Sequence, residues 1–504
     1  MRERIRLAAG LLWGLMALAW TWKLQGRAQD DLYVTYRYAH NLAAGQGLVF
    51  NPGERVFGLT EPGLGLLLGL AHRLTGVAIP WLGTLSTAAA LVLLAQLLYA
   101  EGRERGRAGE ALVAGSLLLG CSYVWAAHGA AAPLVLAVLA LAARIAGERP
   151  VAAGALAGLA VWLRPDAGVG VAALAALLVW EGRRLPVRYL AAASALVALG
   201  CLVAWAWFGQ VLPVTLAAKR VMAETSPEIW GGAGFWARAR PVLPRHLGPL
   251  WEWIVALGLL GHAAWFRSAG RVGRLLASYS LALAVVYPLL GVPYFLWYTV
   301  PTAVGAIYGL AALAGAGGRL LAARVRHEGR RPVVAGLVAA AVLALPLASW
   351  LPRSWRWASR FDGHAHLEVY RQAALWMRDH SALEADVAYV EIGVLGFYSE
   401  RPLRDLLGLV TPESIPYVAA RDLVGAFLVR PTEFVVLHER GRMVPLASQP
   451  WFAAVYREVA RFGTPGARGG VLTLYRRNPD AQPPPPRPPR PPRPGRGRRG
   501  GRFE

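Results

Sequence analysis

The chain has 504 residues, 56% of them hydrophobic and 16% charged, with a mean hydropathy of +0.38 and a formal charge of +23. This composition excludes an ordinary soluble globular protein and fits a polytopic membrane protein. The positive charge does not mark a nucleic-acid-binding domain, because the arginines fall in short clusters between apolar segments and in one C-terminal tail.

The first apolar segment, 7–24, reads as a retained anchor, since no small-residue cleavage site follows it and many further spans do. The run Asp30-Asp31-Leu32-Tyr33-Val34-Thr35-Tyr36-Arg37-Tyr38-Ala39-His40-Asn41 then predicts a short helix with Asp30 as its N-cap. Gly45-Gln46-Gly47 stops that helix, and Asn51-Pro52-Gly53 makes a tight turn. Asp30, Tyr33, Arg37 and Asn41 follow at spacings of 3, 4 and 4, which lines an acid, a phenol, a guanidinium and an amide along one face. The opposite register, Leu32, Tyr36, Ala39 and Ala43, is mostly apolar and suited to lie on the membrane or pack on a span. Two adjacent carboxylates at the mouth of a span are costly to place. They suit a general base that takes a proton from an acceptor hydroxyl, with the neighbour positioning the base or a cation. The plainer role is to cap the helix and complement its dipole.

Apolar segments of spanning or near-spanning length occur at about 7–24, 81–100, 110–125, 129–146, 151–164, 166–180, 189–209, 249–267, 275–292, 298–317 and 332–351. Those between 151 and 180 are short and must borrow from their flanks. Arginine clusters at 2–6, 103–107, 144–149, 183–188, 267–274 and 319–331 are expected to be cytoplasmic by the positive-inside rule. All six fall on one side if the N-terminus is inside and residues 62–76 form a juxtamembrane or re-entrant helix that does not cross. Cys121 and Cys201 both lie in apolar segments, so a structural disulfide is not expected.

The outward side then collects the first outer loop (25–62), His128, the Arg164-Pro165-Asp166 turn, the loop 210–248 and the turn Pro293-Tyr294-Phe295-Leu296-Trp297-Tyr298. Arg164 could reach a phosphate while Asp166 orients it or a sugar hydroxyl; the plainer reading makes Asp166 the cap of the next helix. Arg37 could pair with Asp30 or hold a phosphate. A short helix beginning near Pro213 carries Lys219, one of only two lysines in the chain with Lys23, either as a phosphate ligand or as a snorkelling side chain. Histidines in the place of His128 are more often buried than ligating. No HExxH, CxxC pair, P-loop or GxSxG is present, which removes the zinc, nucleotide and serine hydrolase readings.

Residues 1–351 thus form the membrane domain. Residues 352–478 read as a soluble α/β domain, with a helix over 366–380 that buries Leu367, Tyr370, Ala374 and Trp376, and strands at 386–390 and 433–437. Residues 479–504 are a Pro/Arg-rich tail expected to be disordered.

The Asp30–Ala39 run with Gly45-Gln46-Gly47-Leu48-Val49-Phe50-Asn51-Pro52-Gly53-Glu54 resembles the first outer loop of bacterial GT-C glycosyltransferases, in particular the terminal arabinofuranosyltransferase family that builds mycobacterial arabinan. The resemblance extends to Arg164-Pro165-Asp166, to Pro213-x-Thr215-x-x-x-Lys219, and to Glu391-Ile392-Gly393 with Asp405-Leu406-Leu407-Gly408-Leu409. It implies transfer of a sugar, arabinofuranose first among them, from a polyprenyl-phosphate donor to an envelope glycan or lipid acceptor on the outer face of the bacterial plasma membrane. Asp30 and Asp31 match the family's catalytic acid pair. Lys219, Arg164 and Arg37 would face the donor phosphate, and Tyr33, Asp166, His128 and Tyr298 would orient the substrates. No metal site is implied, although the acid pair could hold a divalent cation. Two departures stand out: the family's carboxylate at position 131 is alanine here, and its amide at position 61 is Glu61. These keep open a non-catalytic glycan-binding scaffold. A lipid-linked-sugar transporter is the other alternative, but it would want polar residues in mid-span.

Overall fold

The structure is a computed structural model that describes residues 2–24, 27–225, 234–360, 365–466 and 469–489. The chain divides into two compact units. The first holds residues 1–55, 59–211 and 232–364, and the second holds 56–58, 212–231 and 365–504.

The first unit is helical, and every apolar segment of the sequence folds as helix because a backbone in lipid must satisfy its polar groups within the segment. In order these are α1 (Arg2–Leu24), α2 (Asp30–Ala43), α3 (Pro62–Thr75), α4 (Ile79–Glu104), α5 (Ala108–Gly120), α6 (Ser122–Trp125), α7 (Ala132–Ile145), α8 (Pro150–Leu163), α9 (Ala167–Gly182) and α10 (Val187–Phe208). After α10 come the helices Phe235–Ala239, Leu243–Leu247, Trp251–Ser268, Arg271–Leu289, Val300–Ala322 and Arg331–Arg360. Residues 6–24, α4, α10, 271–289 and 296–322 are each long and apolar enough to cross a membrane, while α5, α7, α8 and α9 are shorter apolar helices. The segments 235–247 and 251–268 are bent by 103° and pass as a span only together. The predicted span 110–125 is broken at Cys121, whose extended backbone separates α5 from α6. This is a polytopic α-helical membrane fold with a C-terminal α/β domain.

Prolines in the first turns of α3, α4, α7 and α8 start helices where an N–H would be unpaired anyway. Small residues let helices close tightly: a Cβ on Gly261 would overlap the Gly309 carbonyl of the facing helix. The arginine-rich ends meet one another. Arg144 pairs with Glu104, Arg271 with Glu181, and Arg319 with Glu110, which brings four of the predicted clusters to one end of the bundle. At that end the buried Glu101 carboxylate of α4 accepts the backbone N–H groups of Gly270 (3.0 Å), Val272 (2.8 Å) and Gly273 (3.0 Å), capping the helix Arg271–Leu289 from outside.

The second unit is built on a five-stranded sheet of β1 (Val387–Tyr389), β2 (Leu403–Asp405), β3 (Phe434–His438), β4 (Tyr456–Gly463) and β5 (Val471–Arg477), in the order β2-β1-β3-β5-β4. β1 runs parallel to β2 and β3, while β5 is antiparallel to β3 and β4. The helix Ala365–His380 covers β4 and β5. It buries Leu367, Tyr370 and Ala374, but Met377 takes the inner place expected of Trp376, which stacks on His380 instead at 4.6 Å. The 3–4 spacing from Ala374 reaches 377, so the register favours Met377. A helix α11 (Val214–Thr225) also belongs to this unit; its Val214 N–H donates to the Phe57 carbonyl at 2.9 Å. Residues 479–489 have no regular secondary structure, yet the Arg487 carbonyl accepts from the Tyr417 hydroxyl at 2.9 Å. The remainder of the expected disordered tail, 490–504, lies outside the described residues.

Candidate active site

Helix α2 carries the acid pair at its head. Asp30 and Asp31 are its first two residues and are half-buried. Asp30 is not the N-cap: that place belongs to Gln29, whose side chain reaches across to donate to the Ala126 carbonyl at 3.0 Å. The predicted polar face turns inward. Arg37, 1% exposed, donates Nε–H to the Phe50 carbonyl at 3.1 Å, and Asn41 donates to the Val49 and Phe50 carbonyls, both at 2.9 Å. These two side chains fold the 45–54 turn back onto α2. The same turn is held from the far side by Trp207, which donates to the Leu48 carbonyl at 3.3 Å and lies under Arg55. The apolar register packs on a span, as expected. Tyr36 sits against Gly83 of α4 and Gly129, where φ is +84° and any Cβ would overlap its hydroxyl. Tyr33 is buried and meets Tyr36 edge to face at 5.2 Å.

His128 lies in the turn between α6 and α7. It is 1% exposed, with Nδ1 2.8 Å from the Trp125 carbonyl oxygen, and burial holds its imidazole down to about 4. It is therefore neutral at neutral pH and contributes no charge to a phosphate.

The Arg164-Pro165-Asp166 turn forms a buried network. Arg164 donates from Nη1 to Glu61 Oε1 at 2.8 Å, from Nη2 to Asp166 Oδ2 at 3.0 Å and to the Tyr287 hydroxyl at 3.1 Å, and from Nε to Asp166 Oδ1 at 3.1 Å. Tyr287 in turn donates to Asp166 Oδ2. Asp166 does stand at the N-cap of α9, but its side chain makes no capping bond, because a buried guanidinium is the stronger partner. Tyr298 closes the group: its ring lies 5.3 Å from the Arg164 guanidinium and stacks on Tyr287 at 4.4 Å. Burial works against the Arg164 charge, but Asp166 and Glu61 more than offset it and hold the group protonated. Burial also pushes the Glu61 carboxyl above the ordinary glutamate range, with Arg164 pulling the other way. Two carboxylates share one guanidinium, which leaves the group one negative charge in surplus if both are ionised.

Glu61 and Tyr287 are site residues that the sequence reading missed. Tyr287 gave no signal inside an apolar helix. Glu61 stood out as an acid in the place of an amide, and its second oxygen accepts the N–H of Ala131 at 3.2 Å. The Glu61 carboxylate is thus tied to the backbone of residue 131. Five stretches meet in this unit: the head of α2, the 126–131 turn, Glu61, the 164–166 turn and the Tyr287–Tyr298 pair. Lys219, half-buried on α11, belongs to the second unit. Among the described residues, no group of three or more His, Cys, Asp or Glu side chains is placed to hold a metal ion.

A cavity of about 820 Å³ opens in the first unit, lined mostly by apolar side chains with Tyr123, Trp236, Arg240, Trp251, Thr299 and Trp350 among them. The Tyr123 hydroxyl bonds the Thr299 hydroxyl at 2.6 Å and that of Tyr294 at 3.1 Å. Phe235, next to Trp236 of the wall, stacks on Tyr287 at 5.9 Å and so joins cavity to network.

A sequence family described as "Domain of unknown function (DUF8728)" matches residues 356–478. No curated protein sequence matches the chain significantly. Solved structures share its fold. ArnT from Cupriavidus metallidurans in the apo state is 15% identical, with 92% of this chain and 97% of that one covered at a TM-score of 0.57. The same protein bound to undecaprenyl phosphate is 16% identical over the same shares, with a TM-score of 0.52. The Archaeoglobus fulgidus oligosaccharyltransferase tethered to an acceptor peptide is 13% identical, covering 86% of this chain and 69% of that one at a TM-score of 0.53. The likeness is one of fold alone: ArnT and the oligosaccharyltransferase share this chain's architecture.

Proposed function

We propose that this chain is an integral-membrane glycosyltransferase that moves a sugar from a polyprenyl-phosphate donor to an envelope glycan or lipid acceptor. The observation that carries the reading is the joining, in one unit, of half-buried acids at the head of α2 to a buried carboxylate–guanidinium network and a large apolar cavity. The fold supports it, since ArnT shares that fold and has been seen with undecaprenyl phosphate.

In the reaction, the acceptor hydroxyl oxygen bonds to the anomeric carbon as the bond from that carbon to the phosphate oxygen breaks. Asp30 or Asp31 takes the hydroxyl proton as general base. The bonding pair leaves with the polyprenyl phosphate, whose charge calls for a cation; the support for Lys219 in that role is the resemblance of its Pro213–Lys219 run alone. Arg164 is already neutralised by Asp166 and Glu61, which favours a role in orienting the centre over one in receiving the phosphate. Arg37 likewise serves the loop it pins. The apolar cavity suits an isoprenoid chain. By the arginine clusters, the N-terminus is cytoplasmic and the α/β domain lies outside, in the plasma membrane.

The test is transfer from radiolabelled polyprenyl-phosphate sugars, arabinofuranose and mannose first, to a mixed glycan acceptor by the protein in lipid. Transfer that collapses in Asp30→Asn or Asp31→Asn with unchanged thermal stability supports the reading. Turnover indifferent to both substitutions refutes the assigned base.

A further inference from the structure

The Glu61 carboxylate faces two ways. Oε1 accepts from Arg164 at 2.8 Å, and Oε2 accepts the Ala131 N–H at 3.2 Å. The first contact holds the 164–166 turn. The second holds the 126–131 turn, whose Ala126 carbonyl receives the Gln29 amide at the head of α2 at 3.0 Å. Both partners of Glu61 are donors, so a carboxylate satisfies both, whereas an amide with one acceptor oxygen satisfies only one.

Charge points the same way. Asp166 alone neutralises Arg164 through three contacts at 3.0, 3.1 and 3.3 Å. Glu61 is therefore a second acid, 5% exposed, beyond what the ion pair needs. A surplus carboxylate buried this deeply costs folding free energy, and packing alone gives no reason to keep it. Its raised carboxyl pKa has the same origin.

We propose that Glu61 is a positioning residue of the transfer centre, clamping the turn that abuts the acid-bearing head of α2 to the Arg164–Asp166–Tyr287 group. The proposal rests on the glycosyltransferase reading and adds to it a residue that acts through the groups it holds. Loosening the clamp moves the base relative to the rest of the centre, and a displacement of about 1 Å costs on the order of 100-fold in rate. Donor affinity, set elsewhere, stays.

The full-length protein in lipid nanodiscs decides it, with radiolabelled polyprenyl-phosphate arabinofuranose, or the mannose donor if that is the one used, and the mixed glycan acceptor. Glu61→Gln is expected to lower kcat about 10- to 100-fold per folded molecule, with the donor KM within about threefold of wild type. Glu61→Asp keeps the charge but shortens the reach, and gives a smaller loss of the same kind; it replaces the glutamine variant if that one does not fold. A wild-type kcat in the variant that folds, or a loss lying wholly in KM, overturns the clamp while leaving the transferase reading intact. A wild-type protein that transfers from neither donor overturns both.

Discussion

The Glu61–Arg164 contact makes a quantitative prediction through a double-mutant cycle on stability. The two groups are 2.8 Å apart with side chains 5% and 7% exposed, so solvent screens them little. At an effective dielectric constant of about 20, unit charges some 4 Å apart attract by about 4 kcal/mol. Competing contacts to Asp166 lower the share that belongs to this pair, so the coupling energy should be about 2–4 kcal/mol. Arg164→Gln alone strands two carboxylates with no cation and should cost about 3–5 kcal/mol. Glu61→Gln alone leaves a balanced Arg164–Asp166 pair, and the relief of a buried surplus charge offsets the lost hydrogen bond, so it should change stability by no more than about 1 kcal/mol. Made in the glutamine background, the arginine substitution should then cost less by the coupling energy. Equilibrium unfolding in mixed micelles, with the four proteins side by side, measures all the terms. A coupling below about 0.5 kcal/mol, the level of independent sites, would refute the claim that the buried pair binds these two segments together.

Other outcomes follow from the same geometry. Asp30→Asn or Asp31→Asn should lower transfer by about 100- to 10,000-fold while the thermal midpoint stays put; Lys219→Ala should lower it at least roughly tenfold, read in the same assay. Gly129→Ala forces a side chain onto a backbone at φ +84° and onto the Tyr36 hydroxyl, and should destabilise the protein by about 2–3 kcal/mol in the unfolding assay. His128 is held down to about 4 in the fold against an ordinary 6.5, so the unfolded chain protonates first. Its contribution is whole above pH 6.5 and is lost as pH falls towards 4, by roughly 3 kcal/mol at most. Stability measured across that window should rise with pH, and His128→Gln should flatten part of the rise.

The membrane architecture was legible because lipid imposes a simple rule: long apolar runs must be helices. The helix expected near residues 62–76 is there as α3, the 14 residues Pro62–Thr75. The acid pair and the Arg164–Asp166 turn were visible as polar residues in costly places. Their partners were not. Glu61 and Arg164 are separated by 103 positions, and nothing local distinguishes an acid that pairs at that distance from one in solvent. Tyr287 looked like any aromatic near a helix end. Arg37 was visible as part of a polar helical face, but spacing along α2 could not say that this face looks at its own returning loop. In the α/β domain, β1 and β3 were readable as short apolar runs. β4, YREVARFG, does not alternate: Arg457 and Glu458 are both exposed and the register slips between Glu458 and Ala460, which hid it.

Glu101 has a consequence for how the molecule is made. Its three backbone donors lie 169 to 172 positions further along the chain. At about 5–20 residues per second, the ribosome delivers them roughly 10–30 s after the end of α4 has emerged. Throughout that interval the carboxylate lacks these three donors and must stay hydrated. Seating of the Arg271–Leu289 helix then withdraws the acid from water. The bundle is therefore fastened late, by a contact between its first and second halves, and a nascent chain stalled before residue 270 would leave the membrane with an unlatched half.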